Sequence, residues 1–189
     1  GWGWDDVLPY FLKSEDHHGG STDLHRSGGE WKVSKQRLEW DILRAVQEGA
    51  QEFGVMPRKD FNDGSNEGSG FFEVNQNNGV RWNTAKGFLR PAMKRPNLRV
   101  ITKAETERLV IESHRVTGVL FRHKGRLLQA KPSAEVLLAA GAINSPKVLE
   151  LSGIGNPELL RGLGLNVELD LPAVGENLQD HLQIRTVFK

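Results

Sequence analysis

Two groups of residues in this 189-residue chain have types and spacing suited to chemistry. The first is a set of histidines close in sequence, His17, His18 and His25. Imidazoles grouped in this way suit a divalent metal. No carboxylate or thiol stands at a spacing that completes such a site, so the favoured reading is a polar surface loop, with a metal protein as a remote alternative. The second is Val136-Leu-Leu-Ala-Ala140, running into Gly141 and then a helix expected to begin near Ser145-Pro146. An apolar run without alternation is the pattern of a strand covered on both faces, and Pro in a first helical turn costs no hydrogen bond. A buried strand that turns through glycine into a helix N-terminus aims backbone N–H groups and the helix dipole at an anionic ligand. Most strand-to-helix turns bind nothing, so spacing alone leaves both readings open.

Other motifs fail. Gly68-Ser-Gly70 and Gly153-Ile-Gly155 lack the third glycine of a dinucleotide loop, and the chain contains no phosphate-binding P-loop, no nucleophile elbow and no His-Glu-x-x-His pair. Asp60-Phe-Asn-Asp-Gly64 places its glycine one position early for a calcium loop and lacks the distal Glu, so it reads as a solvated turn. His114 and His123 sit at strand ends among charged residues and read as solvated.

The elements that must position these residues follow from periodicity. Asp5 to Asp16 predicts a helix with acidic residues at its positive end. Lys35 to Phe53 predicts a second, with Leu38, Ile42, Ala45, Val46, Ala50 and Phe53 on one face and Gly54 as its stop. A strand is expected at Phe71 to Asn75, and Asn77-Asn78-Gly79 turns the chain back into Val80-Arg-Trp82. Asn83 or Thr84 caps a short helix ending near Arg90-Pro91. Five strands follow at Arg99–Thr102, Glu107–Glu112, Val116–Arg122, Arg126–Ala130 and Glu135–Ala139, with a hairpin turn at His123-Lys-Gly125.

Composition removes several classes. With 25 Lys+Arg against 24 Asp+Glu the net charge is +1, without like-charge blocks, so a nucleic-acid partner is not expected. Zero cysteines exclude disulfides, thiolate zinc sites, iron–sulfur clusters and a thiol nucleophile within the chain. Apolar runs are too short to span a bilayer, and the Gly-Trp-Gly-Trp start does not resemble a signal peptide, which leaves localisation open. A chain of this length is expected to bury about 70% of its extended surface.

Gly141-Ala-Ile-Asn-Ser-Pro-Lys-Val-Leu-Glu-Leu-Ser-Gly-Ile-Gly155 resembles the second signature of the glucose–methanol–choline (GMC) oxidoreductases. Asp170-Leu-Pro-Ala-Val-Gly-Glu-Asn-Leu-Gln-Asp-His-Leu182, Val7 to Glu15, Gly79 to Ala85, Phe88 to Ala92 and Arg95 to Val100 are similar to further blocks of that family. The likeness covers nearly the whole chain and is strongest to the choline dehydrogenase and alcohol dehydrogenase branch.

The resemblance implies an α/β fold with α+β character: part of an FAD-binding Rossmann-like domain with a β-meander, plus part of an antiparallel-sheet substrate domain. It assigns residues 1–97 mainly to substrate-domain and connecting segments, 98–176 to the later part of the FAD domain and 177–189 to a return into the substrate domain. It implies oxidation of a primary alcohol, a small-molecule substrate, to an aldehyde by hydride transfer to FAD, in the cytoplasm or at a membrane surface. Thr106, Ala140 and Gly141 fall at cofactor-contacting positions, and His181 and Gln183 on the substrate side, where His181 is a candidate for electrostatic support of an alkoxide. Choline-handling relatives typically carry Glu where this chain has Gln183, which points to an uncharged alcohol. The family's phosphate loop and catalytic His are not found in these residues. The expectation is therefore an internal fragment that alone neither turns over nor holds FAD tightly, with uncovered apolar faces prone to self-association. The alternative is a cofactor-free structural or binding module.

Overall fold

The computed structural model describes residues 1–187, so the last two positions of the 177–189 return segment lie outside the described residues. The chain divides into two compact units, Gly1–Val100 and Ile101–Lys189.

The first unit opens with helix α1, Trp4–Ser14, which has Asp5 and Asp6 in its first turn. Strand β1, Glu15–His17, follows directly and pairs in parallel with β2, Trp31–Val33. Helix α2 spans Asp41–Glu52. It starts later than the expected Lys35: Ser34 is held in an antiparallel bridge to Val74, and residues 35–40 are not helical. The expected strand at Phe71–Asn75 reduces to that bridge, and regular pairing begins at β3, Gln76–Asn77, against β4, Val80–Arg81. Asn78 turns this hairpin at φ 52, as the Asn-Asn-Gly sequence predicts. The Asn83 side chain then accepts the Lys86 N–H at 3.0 Å, starting a π-helical turn over Ala85–Leu89 and helix α3, Arg90–Ala92. Trp31 stacks on Phe88 at 5.8 Å, and the Trp82 indole N–H donates to the Glu30 carbonyl at 2.7 Å, so this turn is anchored on β2.

The second unit is a three-stranded antiparallel meander, β5 (Ala104–Glu112), β6 (Arg115–His123) and β7 (Arg126–Ala130). Both hairpins close through two-residue turns with positive φ: Ser113 (51°) and His114 (59°), then Lys124 (51°) and Gly125 (75°). Helix α4, Gly141–Leu151, packs on β5. It ends at Ser152, after which Gly153 takes φ +84, and a Cβ there would stand 2.5 Å from the Asn166 carbonyl oxygen. β8 (Ile154–Gly155) pairs in parallel with β9 (Leu169–Asp170), and Asn156 caps α5, Pro157–Gly162, by accepting the Glu158 N–H at 2.9 Å.

Three expectations fail here. Arg99–Thr102 is not a strand, and neither is Glu135–Ala139. A strand of a parallel sheet exists only with a neighbour to receive its ladder, and among the described residues no strand flanks this segment, so Leu137 stands 81% exposed. Helix α4 begins at Gly141 rather than near Ser145, which places Pro146 in the second turn, where it removes one backbone hydrogen bond. Burial also falls short. The accessible surface is 15576 Å², against about 9,000 Å² for a compact protein of this mass, so about half of the extended surface is buried rather than about 70%. Leu109, Val148 and Leu160, all in the second unit, are the buried apolar side chains among the described residues, while Trp2, Phe53, Ile143 and many others are open to solvent.

Candidate functional site

β5 is an edge strand of the meander, so the N–H groups on its outer side need partners from elsewhere. Ser152, just past α4, supplies one. Its buried hydroxyl accepts the Leu109 N–H at 2.8 Å and donates to the Val148 carbonyl at 2.5 Å. With Leu109 and Val148 buried beside it, this contact fixes α4 against β5. An open cleft of about 810 Å³ lies between these elements, lined by Thr106, Arg108, Arg122, Ala140, Asn144 and Lys147 above an apolar base that includes Val148 and Leu151.

The cleft carries a cationic bias. Arg122 is engaged, its Nε and Nη2 donating to Glu107 Oε1 at 2.8 and 2.6 Å. Arg108 and Lys147 have no carboxylate partner among the described residues. The first turn of α4 opens here without a side-chain cap, and the Ser145 hydroxyl accepts the Ala140 N–H at 3.1 Å, holding the approach to the helix. Gly141 takes φ +88, and a Cβ on it would meet nothing within 4 Å, so the backbone is open to close approach. Uncapped amides, two free cations and an apolar base suit an anionic ligand with an apolar body.

Thr106 and Ala140, picked from the sequence, line this one cleft, and Gly141 adjoins it. His181 and Gln183 do not line it: both are exposed in a segment without regular structure, and the His181 N–H donates to Asp180 Oδ1 at 2.8 Å. Sequence reasoning missed Asn144, Lys147 and Arg108. Ala140, Asn144, Lys147 and Leu151 recur at steps of three and four, one helical stripe, and that spacing was the signal available.

The histidine loop is not the solvated surface expected of it. His25 is 6% exposed and stacks on His17 with ring centroids 4.1 Å apart. One carboxylate that looked absent arrives from distant sequence and another from close by: His17 Nε2 donates to Glu73 Oε2 at 2.8 Å and His18 Nε2 to Glu73 Oε1 at 2.6 Å, while His25 Nδ1 lies 3.1 Å from both oxygens of the nearby Glu15. Asp60 Oδ2 is 2.9 Å from His25 Nε2, so the Asp60 turn is a partner of this cluster rather than a merely solvated loop. Burial pulls the His25 pKa down, but Glu15 and Asp60 outweigh it and the net shift is upward. Nearby, the Lys32 ammonium and then the Gly28 N–H hold the Asp16 carboxyl below its usual range.

The cleft suits a nucleotide-like anionic ligand, and comparison with known proteins specifies the family. The chain belongs to the GMC oxidoreductases, whose family profile matches residues 1–183. It is 39% identical over 183 residues to an oxygen-dependent choline dehydrogenase of Sinorhizobium fredii, covering 97% of this chain and 33% of the relative. Pyridoxine 4-oxidase from Mesorbium loti superposes with a TM-score of 0.88 at 31% identity, over 95% of this chain and 36% of that one. An FAD-dependent oxidoreductase from Chaetomium thermophilum also gives 0.88, at 28% identity over 95% of this chain and 34% of that one. The chain thus spans about a third of the length of the relatives it matches. Among the described residues no helix is long and apolar enough to cross a membrane.

Proposed function

We propose that this chain contributes an FAD-contacting cleft and part of the substrate side of an FAD-dependent enzyme that oxidises a primary, uncharged alcohol to an aldehyde. The observation that carries the reading is the meeting of Thr106 and Ala140 in one cleft beside the uncapped first turn of α4. The residues fit the cofactor: Arg108, Lys147 and the α4 amides suit its pyrophosphate charge, Val148 and Leu151 suit an apolar ring, and Gly141 allows close backbone approach. When bound, FAD supplies the hydride acceptor. The role of Thr106, Ala140 and Gly141 is to bind and orient, through main chain and small side chains. His181 stabilises charge developing on the alcohol oxygen, and Gln183 presents a neutral amide to the substrate. In this arrangement residues 1–97 serve mainly the substrate domain, 98–176 the FAD domain and 177–189 return to the substrate side.

A chain that spans a third of its relatives and exposes 15576 Å² leaves cofactor and substrate surfaces to segments beyond it. The 189 residues alone therefore neither hold FAD through desalting nor oxidise alcohol, and their apolar faces self-associate. The test has two arms. Added FAD should be lost from the isolated chain on desalting, and retention would overturn the claim. In the whole enzyme, alcohol-dependent dye reduction should favour a neutral aliphatic alcohol over choline, and strong choline preference would refute the Gln183 assignment. A whole enzyme that holds no flavin would favour the cofactor-free module instead.

A further inference from the structure

We propose that His17, His25 and Asp60 bind one zinc-class divalent cation in the 1–100 unit, with Glu73 and Glu15 holding the two imidazoles from behind. One ligand atom from each of the three residues lies within 4.8 Å of the others. The decisive feature is His25 Nε2. It is buried and has no hydrogen-bond partner, although Asp60 Oδ2 is 2.9 Å away and the side chain is 7% exposed. The opposite nitrogen, Nδ1, lies against both oxygens of Glu15 at 3.1 Å. A carboxylate only accepts, so Nδ1 carries a hydrogen, and Nε2 is left against a second carboxylate oxygen, a position open to a second proton or to a cation bound by both atoms. No hydrogen bond spans the 2.9 Å between Nε2 and Asp60 Oδ2, and a cation bound by both atoms would satisfy them together.

His17 repeats the arrangement. Its Nε2 donates to Glu73 at 2.8 Å, which leaves a lone pair on Nδ1, now facing the Gly19 N–H at 3.1 Å, a contact that a metal would displace. Carboxylates on the far nitrogen are what fix the tautomer and orientation of metal-bound imidazoles and raise their basicity. Asp60 is also preset: its Oδ1 accepts the Asn62 N–H at 2.7 Å, leaving Oδ2 for the ion. Charge favours occupancy, because Glu15, Asp60 and Glu73 have histidines and no Lys or Arg as ion-pair partners among the described residues. Two imidazoles and one carboxylate with a fourth position for water suit zinc, while calcium and magnesium prefer all-oxygen shells. The ion would clip the 18–30 loop to the Asp60 turn.

The test is metal binding by the purified, tag-free whole protein after chelator treatment, followed by calorimetric titration with zinc chloride and by cobalt(II) absorption. One zinc per chain is expected, with visible cobalt bands of a four-coordinate site. H25Q and D60N should abolish stoichiometric binding, E15Q should weaken it about 10- to 100-fold, and H18Q should leave it unchanged. Absence of stoichiometric zinc, or featureless weak cobalt absorption, in the unmodified protein overturns the proposal without any variant needing to fold. Binding that survives D60N but is lost in H18Q also overturns it, since the ion would then sit on His17, His18 and Glu73. Preference for calcium or magnesium over zinc counts against it in the same way.

Discussion

Replacing Ser152 with Ala tests how the cleft is held together. The Ser152 hydroxyl links α4 to the edge of the meander by accepting the Leu109 N–H at 2.8 Å and donating to the Val148 carbonyl at 2.5 Å, with Ser152 itself 7% exposed. Leu109 is 5% exposed, so water cannot readily reach its amide once the hydroxyl is gone. The Val148 carbonyl keeps a backbone partner, since it also accepts the Ser152 N–H at 3.1 Å, so the loss concentrates on one buried donor. An unsatisfied buried N–H costs about 1–3 kcal/mol. Ser152→Ala should therefore shift the folding equilibrium by roughly 5- to 150-fold at about 1.4 kcal/mol per tenfold. Hydrogen exchange is the suitable assay, because all five Trp residues lie at or before Trp82 and report on the other unit. The Leu109 amide should be protected in the unmodified protein and should exchange faster in the variant. An unchanged Leu109 amide with a stability loss under about 0.5 kcal/mol would refute the reasoning.

Four further outcomes follow. Replacing His114 (φ 59) with Gly relieves a left-handed residue in the β5–β6 turn and should stabilise the protein by about 1 kcal/mol, read as a raised unfolding midpoint in urea. Gly141→Ala at φ +88 should cost about 1–2 kcal/mol, and flavin affinity of the whole enzyme should fall beyond what that loss explains. Asp16 has a folded pKa below its unfolded value, so its stabilisation is complete above about pH 4 and is lost as pH falls through the lowered folded value. The stability gap between the unmodified protein and Asp16→Asn should accordingly shrink on acidification through that window. Gln183→Glu should raise the use of choline relative to neutral alcohols in the whole enzyme, measured as a ratio of kcat/KM values.

The parts of the fold that sequence made legible are those decided locally. Asn77-Asn-Gly79 and His123-Lys-Gly125 specify two-residue hairpins by their backbone preferences, and the alternating runs around them specify β5 to β7. The Ser113-His114 turn has no glycine or asparagine to announce it and follows from the strands on either side. Val136–Ala140 shows the limit in the other direction. Its apolar pattern records that both faces are suited to burial, but strand formation also needs a flanking partner. The cleft was half legible: Gly141, Asn144 and Lys147 stand in the signature stretch with Ala140 just before it, whereas Arg108 is an ordinary surface cation until α4 packs on β5. The histidine cluster was illegible because two of its carboxylates, Glu73 and Asp60, are remote, His17 and Glu73 being 56 residues apart. Local spacing cannot report a partner that tertiary structure delivers.

The central claim is that the cleft between β5 and α4 receives part of FAD. Amide hydrogen exchange of the whole enzyme, stripped of FAD and then reloaded, tests it most directly. Exchange should slow at Thr106 and across Ala140 to Asn144 when FAD binds. Protection confined to other segments, with these amides unchanged, would contradict the account.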